Sequence, residues 1–460
     1  MRSFPIHTGL SIAALALFLG LARLVNPAIK GPDTAQFQAI VDFTPERVPF
    51  GPWIRRTEPA APEPAARVRL PGASPLLDDS GGVLDRFYQA LWRTEKHEKG
   101  AVTEIVHYGD SPTTADLITG DIRSQLQARF GNAGHGFILI AKPWAWYQHT
   151  GADLSASGWQ MSPATHFESH DGMFGLGGVS FTGSSPAHTR IEFSSGHSEF
   201  EVWFLRQPAG GVFSVTADGR ALGRIDTAAD SKSPGFASFS AEPPASTVEI
   251  LVEEGYVRLF GLSATKHVAG VVYNSLGLNG ASITVLSRIF NQSHWAEELS
   301  HRNPDLVIIN YGTNEADFAA FVDHQYEKEL RAAINRIRGA VPDTSILVMS
   351  PMDRGQRVGG GEIETMPTIP RIVAIQRRVA RETSCGFFDT FTAMGGEGTM
   401  AHWYNHQPRL VSADFIHPYP AGGKRIATVF TKEISAGLNR FKLRQIHRLE
   451  ASNRASAAVP

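Results

Sequence analysis

The chain has 460 residues, 42% hydrophobic and 19% charged, which excludes a disordered polypeptide and gives room for about two or three domains with their own cores. Its 43 basic and 45 acidic residues leave a formal charge of −2, so there is no electrostatic case for nucleic acid or for an anionic membrane surface as partner. The single cysteine, Cys385, excludes an intrachain disulfide and a cysteine-based zinc cluster; its apolar setting, Cys385-Gly386-Phe387-Phe388, predicts a buried, inert thiol.

In chain order, Arg2 and His7 precede an apolar stretch from Leu10 to about Val25, broken only by small residues and Arg23. This is the pattern of a secretory signal or an uncleaved anchor, so residues 1–25 predict export to the periplasm or cell envelope. Gly20-Leu21-Ala22 is a poor cleavage site, and membrane anchoring through this segment stays open. Residues 26–82 are rich in Pro and Ala, as in Glu58-Pro59-Ala60-Ala61-Pro62, and read as an extended tether. Folded structure is expected from Val83, where Val83, Leu84, Phe87, Ala90 and Leu91 recur at helical spacing and predict a helix to about Lys96.

Two parts of one α/β pattern come next, 83–143 and 267–445, with a 446–460 tail. The first has a strand over Glu104 to Tyr108, a turn at Gly109-Asp110-Ser111, and a helix over about Pro112 to Phe130. The second has strands at Gly270 to Tyr273, Leu306 to Tyr311, Ser345 to Ser350 and Gly386 to Phe391. Helical patterns lie between them, notably Glu327 to Ile337 and Arg371 to Arg381. Short apolar strands alternating with helices predict a parallel sheet covered on both faces, with its ligand at the strand carboxyl ends. The intervening residues 144–266 alternate with period two, as in Phe200-Glu201-Val202-Trp203-Phe204 and Thr247-Val248-Glu249-Ile250. They are punctuated by turns such as Asp218-Gly219, and predict an inserted antiparallel β-sandwich.

Four motifs carry candidate chemistry. Gly109-Asp110-Ser111-Pro112 leaves a strand and enters a helix, which exposes the serine near helix-terminal N–H groups. A plain N-cap with proline in the first helical turn explains the tripeptide equally well. Pro112 has no N–H, which excludes the elbow in which the residue after the nucleophile supplies an oxyanion donor. Asp414-Phe415-Ile416-His417 has a spacing that lets a carboxylate reach an imidazole and orient it as a base, although alone it is also an ordinary surface turn. Asn314, after the apolar strand Leu306-Val307-Ile308-Ile309, is either an oxyanion donor or a turn residue. Gly280, in Leu278-Asn279-Gly280-Ala281, either exposes a backbone N–H or permits a tight turn.

Taken together, in this order, the four resemble the SGNH (GDSL-type) hydrolases, a family named for a serine, glycine, asparagine and histidine in separate blocks. The resemblance covers about residues 100–143 and 267–440. It implies a flavodoxin-like, three-layer α/β/α fold and a serine esterase with catalytic Ser111, Asp414 and His417. It also implies an oxyanion hole from the N–H groups of Ser111 and Gly280 and the amide of Asn314, with no metal or organic cofactor. A narrower resemblance, to exported peptidoglycan O-acetylesterases with a carbohydrate-binding-module-like insert, rests on Phe130-Gly131-Asn132-Ala133-Gly134-His135-Gly136-Phe137, the inserted sheet and Tyr273 to Ala281. It implies an O-acylated cell-wall or exopolysaccharide glycan as substrate. Two rivals remain: an O-acetyltransferase with the same triad, and a non-catalytic glycan-binding protein. Weaker candidates are His402 and His406 as metal ligands, Trp144, Trp146 and Tyr147 as a sugar-stacking platform or buried junction aromatics, and Lys142 and Arg354 as substrate contacts.

Overall fold

The structure, a computed structural model, describes residues 75–165 and 171–457, with side chains to residue 451. The export segment 1–25 and the tether up to residue 74 lie outside the described residues. Among the described residues, no helix is long and apolar enough to cross a membrane.

In chain order the strands are β1 (Leu77–Asp78), β2 (Val102–Gly109), β3 (Gly134–Ile138), β4 (Ala152–Ser157), β5 (Gln160–Pro163), β6 (Val179–Ser184), β7 (His188–Arg206), β8 (Val212–Ala217) and β9 (Arg220–Asp226). Then come β10 (Ser233–Glu254), β11 (Tyr256–Thr265), β12 (Gly270–Gly277), β13 (Leu306–Asn310), β14 (Ser345–Met349), the hairpin β15 (Gly355–Arg357) and β16 (Ile363–Thr365), and β17 (Gly386–Phe388).

Six of these form one sheet in the order β1-β17-β14-β13-β2-β12. The five from β12 to β17 pair in parallel, in the doubly wound order 2-1-3-4-5. Their residues are apolar on both sides because helices cover both faces. On β13, Leu306 and Ile308 pack with helices Asp85–Glu95, Thr119–Phe130 and Pro420–Ala457, through Phe87, Ile122, Leu126, Phe430 and Ile434. Val307 and Ile309 point the other way, into helices Gln292–Arg302, Tyr326–Ala340 and Thr368–Glu382, against Leu299, Ile334 and Ile372. Each of these buried aliphatic side chains contributes about 1.5–3 kcal/mol over an exposed one. The layered α/β/α SGNH architecture expected from the sequence is the one observed.

Several boundaries differ from expectation. Among the described residues, regular structure begins at Leu77, before Val83, because β1 adds an antiparallel edge strand to β17 and makes the sheet mixed. Residues 446–457 are no separate tail: helix Pro420–Ala457 runs on through them. β17 stops at Phe388, where Asp389 caps a short helix by accepting the Thr392 N–H.

The antiparallel region starts at Gly134, not residue 144, since β3 pairs with β11. Nor is it two separate sheets. β7 and β10 run side by side for most of their length, with register shifts between Ser240 and Thr247. One end of the pair carries β4, β8 and β9; the other carries β11, β6 and β5. This continuous sheet bends over its own core, so that Phe204 of β7 meets Phe213 of β8 edge-on at 5.6 Å. Period-two alternation specifies buried faces, and it reads the same in two sheets as in one bent sheet.

Candidate active site

Strand register brings three of the motifs together. Gly109, the last residue of β2, pairs with Gly277 of β12 on one side and with Asn310 of β13 on the other. The segments leaving these strands therefore open side by side, at the switch point where the winding of the sheet reverses.

Ser111 starts the four-residue helix Ser111–Thr114, with Asp110 before it and Pro112 in its first turn, where the missing N–H has no helical partner to lose. This helix lies directly on the end of β12. A Cβ at Gly277 would stand 2.0 Å from the Thr114 backbone nitrogen, so only glycine permits the approach.

The helix expected over Pro112 to Phe130 is in fact two, parted at Asp116, which adopts φ 54°. The buried Asp116 carboxylate organises the turn, accepting from Thr119 Oγ1 (2.7 Å), the Thr150 N–H (2.8 Å) and Arg123 Nη2 (2.6 Å). Arg123 and Asp116 side chains are only 4% and 1% exposed. Removing one partner strands a desolvated charge, so Arg123→Ala is expected to cost about 3–5 kcal/mol of stability. An unchanged urea midpoint for that variant would refute this account of the turn.

The fourth motif reaches the same place from 306 residues away: His417 Nε2 lies 2.6 Å from Ser111 Oγ. His417 Nδ1 lies 2.6 Å from Asp414 Oδ2. The other carboxylate oxygen accepts from the Ile416 N–H (2.9 Å), the His417 N–H (3.0 Å) and the Ser412 hydroxyl. The Asp-x-x-His spacing thus closes as a tight side-chain-to-backbone turn. An imidazole donating Nδ1–H to Asp414 presents Nε2 as acceptor to the serine O–H.

Burial acts to lower the His417 pKa, but the hydrogen bond and charge of Asp414 outweigh it and hold the imidazole above its ordinary value. Burial acts to raise Asp414; hydrogen bonds from His417 and Ser412 and the histidine charge hold it well below the usual carboxylate range. Ser111 is 8% exposed, whereas the His417 side chain is about one-third exposed, so the pair is open to solvent from the histidine side.

Around the serine, the Leu278–Ala281 turn is closed by the Ala281 N–H on the Leu278 carbonyl (3.1 Å). The Leu278 N–H bonds the Gly109 carbonyl (3.0 Å), which ties the turn to β2. Gly280 is exposed at the corner with φ +71° and open space beside it. Asn314 donates one amide N–H to the Ala281 carbonyl (2.7 Å), and its second remains for another acceptor. Arg354 is no free substrate contact: it donates to the Thr313 carbonyl (2.6 Å) and pairs with Asp317 (2.8 Å), bracing the Asn314 loop.

Three residues within or next to the motifs have roles that the sequence reading did not assign. Asp110 is buried; desolvation pushes its carboxyl up to about 6, against a hydrogen bond from Thr313. Glu315 is likewise buried and pushed up to about 7, and it accepts the Ile283 N–H at 2.7 Å, joining the Asn314 segment to the chain after Gly280. Gly277 is the third. A charged residue directly after a motif in apolar surroundings was the available signal for Glu315.

The remaining candidates separate. His402 and His406 have ring centroids 6.5 Å apart, and among the described residues no group of three or more His, Cys, Asp or Glu could hold a metal. Trp144 and Tyr147 are buried, while Trp146 is 43% exposed. Lys142 is exposed.

Residues 251–425 match the GDSL-like lipase/acylhydrolase family. The solved structure of a peptidoglycan O-acetylesterase in action shares 22% identity, covering 80% of this chain and 100% of its own, with a TM-score of 0.68. The α/β domain has the SGNH-type hydrolase fold. A family-two carbohydrate esterase from Clostridium thermocellum in complex with cellohexaose (14% identity, 62% of this chain, 99% of its own) reaches a TM-score of only 0.27. A salicylyl-acyltransferase from a tetracycline biosynthetic pathway (12% identity, 65% and 96%) reaches 0.28. No curated protein matches significantly. The matched span of the SGNH-type domain contains Gly280, Asn314, Asp414 and His417 but not Ser111. For the serine, the geometry is the argument.

Proposed function

We propose that the chain is a serine esterase that removes O-acetyl groups from a cell-wall or exopolysaccharide glycan. The observation that carries this reading is the unbroken hydrogen-bonded line from Ser111 through His417 to Asp414. His417 takes the serine proton as Oγ attacks the ester carbonyl, and Asp414 stabilises the imidazolium that forms. The N–H groups of Ser111 and Gly280 and the second amide N–H of Asn314 stabilise the oxyanion. His417 returns the proton to the leaving sugar oxygen, and water then releases acetate by the same steps. No metal or organic cofactor enters. The likeness in fold to a peptidoglycan O-acetylesterase, with the inserted sheet, supports a glycan ester as substrate. The apolar stretch near the N-terminus supports an exported, envelope-located protein, anchored if the segment is retained.

The test is acetate release from p-nitrophenyl acetate and from O-acetylated glycans, with and without an unacetylated glycan acceptor. Acetyl transfer to the acceptor in place of release would make the protein an O-acetyltransferase. No turnover of any ester, with glycan affinity intact, would make it a binding protein.

Asn314→Ala is expected to lower kcat by about 10²–10³, the usual cost of one oxyanion donor. An unchanged kcat would remove Asn314 from the mechanism. The base must be unprotonated at Nε2, so kcat/KM falls as pH drops through the His417 pKa. Because Asp414 raises that pKa, the acidic limb should have its midpoint above about 6.5, the ordinary histidine value. A midpoint below it would contradict the coupling.

A further inference from the structure

Phe415, inside the Asp414–His417 turn, has φ +59°, a left-handed conformation that glycine enters freely and a bulky side chain resists. The turn is tightly closed around it. The Phe415 N–H bonds the Ser412 carbonyl (3.2 Å), and the Ser412 N–H bonds the His417 carbonyl (2.8 Å). The Ile416 and His417 N–H groups point back at the Asp414 carboxylate. Glycine would adopt this backbone without strain. Phenylalanine holds it only where its surroundings enforce it, and such enforced conformations gather at functional sites.

The enforcing contacts come from the hairpin β15–β16. The Gly355 N–H donates to the Phe415 carbonyl (3.0 Å), and a Cβ on Gly355 would stand 2.9 Å from the Phe415 Cβ, so only glycine permits this approach. The Phe415 ring is buried. The Arg357 guanidinium stands over it, 5.0 Å from its centre, and Tyr404 meets it edge-on at 4.9 Å.

The hairpin is firmly rooted. At its base the Met366 N–H donates to the Arg354 carbonyl (2.8 Å), and the buried Asp353 carboxylate accepts from Thr365 Oγ1 (2.8 Å) and the Met400 N–H (2.8 Å). From the same root, Arg354 reaches the Thr313 carbonyl and Asp317 beside Asn314. One hairpin therefore touches both the turn that carries the base and the loop that carries Asn314. Arg357 also donates to the Gly361 carbonyl (3.1 Å), which ties the exposed glycine tip to the guanidinium over Phe415.

We propose that the β15–β16 hairpin positions the base: Gly355 and Arg357 hold Phe415 in its left-handed conformation, and this keeps His417 Nε2 in line with Ser111 Oγ. Both are positioning residues that act through Phe415. This inference rests on the proposed esterase reading and adds to it the element that aligns the triad.

The test compares the full chain with Arg357→Ala, Arg357→Lys and Gly355→Ala in p-nitrophenyl acetate hydrolysis across pH. Arg357→Ala should lower kcat about two- to fivefold, the value of an exposed cation over a ring, with KM unchanged. Gly355→Ala should lower kcat about 10²-fold, because the added methyl displaces the turn. Arg357→Lys, which keeps a cation for the ring, should recover most of the loss. The pH profile separates alignment from mere stability. His417 faces Asp414 on its own turn, Asp110 ahead of Ser111, and Arg354 at the hairpin root. Loosening the turn weakens the Asp414 hydrogen bond that raises the histidine pKa, so the acidic limb should move to lower pH in Arg357→Ala. Loss of the Arg357 charge by itself would move it the other way.

An unchanged or raised limb in Arg357→Ala would overturn the inference, as would wild-type kcat in that variant or no recovery in Arg357→Lys. Should Gly355→Ala fail to fold, Arg357→Ala decides, since its side chain is exposed. If the wild type cleaves no ester, the esterase reading fails by itself. The hairpin is then judged by NMR titration of the His417 imidazole: a lower pKa in Arg357→Ala than in the wild type sustains its role, and an equal or higher one overturns it.

Discussion

Ser111→Ala is expected to lower ester hydrolysis by at least about 10⁴, and by as much as about 10⁶ where the serine and histidine act as one unit. The hydroxyl bonds His417, and Ser111 stands at the mouth of a short helix whose backbone bonds the methyl side chain leaves untouched. The thermal unfolding midpoint should therefore stay near that of the wild type while turnover disappears. A serine-directed sulfonyl fluoride should add its mass to the peptide containing Ser111 in the wild type and not in the variant. Activity surviving the substitution, or an adduct on another serine with Ser111 free, would end the proposed mechanism.

Asp414→Asn is the second large effect, of about 10⁴ in kcat, by the reasoning that applies to any aspartate holding a catalytic histidine. The carboxylate accepts Nδ1–H, which frees Nε2 to receive the serine proton. An amide NH2 facing Nδ1 reverses the tautomer: Nδ1 becomes the acceptor, and the proton moves to Nε2, where the base is needed. The amide oxygen can still accept from the Ile416 and His417 N–H groups, so the turn survives while its chemistry is lost. The acidic limb of the pH profile should move down, because the charge that raised the His417 pKa is gone. A variant that keeps wild-type kcat and the same limb would show that Asp414 does not orient the base.

Both expectations were within reach of the sequence because the strands carrying the motifs are apolar on both faces. Leu306-Val307-Ile308-Ile309 reads as a buried parallel strand from composition alone, and the residues leaving such a strand emerge at the sheet's carboxyl edge. Local spacing likewise anticipated that Asp414 would reach His417. The features that the sequence hid act through distant partners. Asp116 sits in an ordinary polar stretch, and its role depends on Arg123 and on Thr150 from the entry to the inserted sheet. Gly277 matters only because a helix from another part of the chain rests on it. The two-residue β1 is too short for periodicity to register, and its place is set by pairing with Phe387 and Phe388. The continuity of the inserted sheet, expected as an antiparallel β-sandwich, was hidden for a related reason: alternation records which side of a strand is dry, and says nothing about where a long strand bends.

The inserted sheet leaves and rejoins the α/β body through neighbouring strands, since Gly134 of β3 is registered against Thr265 of β11. Two antiparallel backbones stitched by hydrogen bonds make a stiff neck, and the clasp from Gln148 to Thr114 braces it a second time. A module mounted this way cannot swing on a leash as a tethered domain does. The inserted sheet is therefore held at a constant offset from Ser111, a spacing set by the architecture itself.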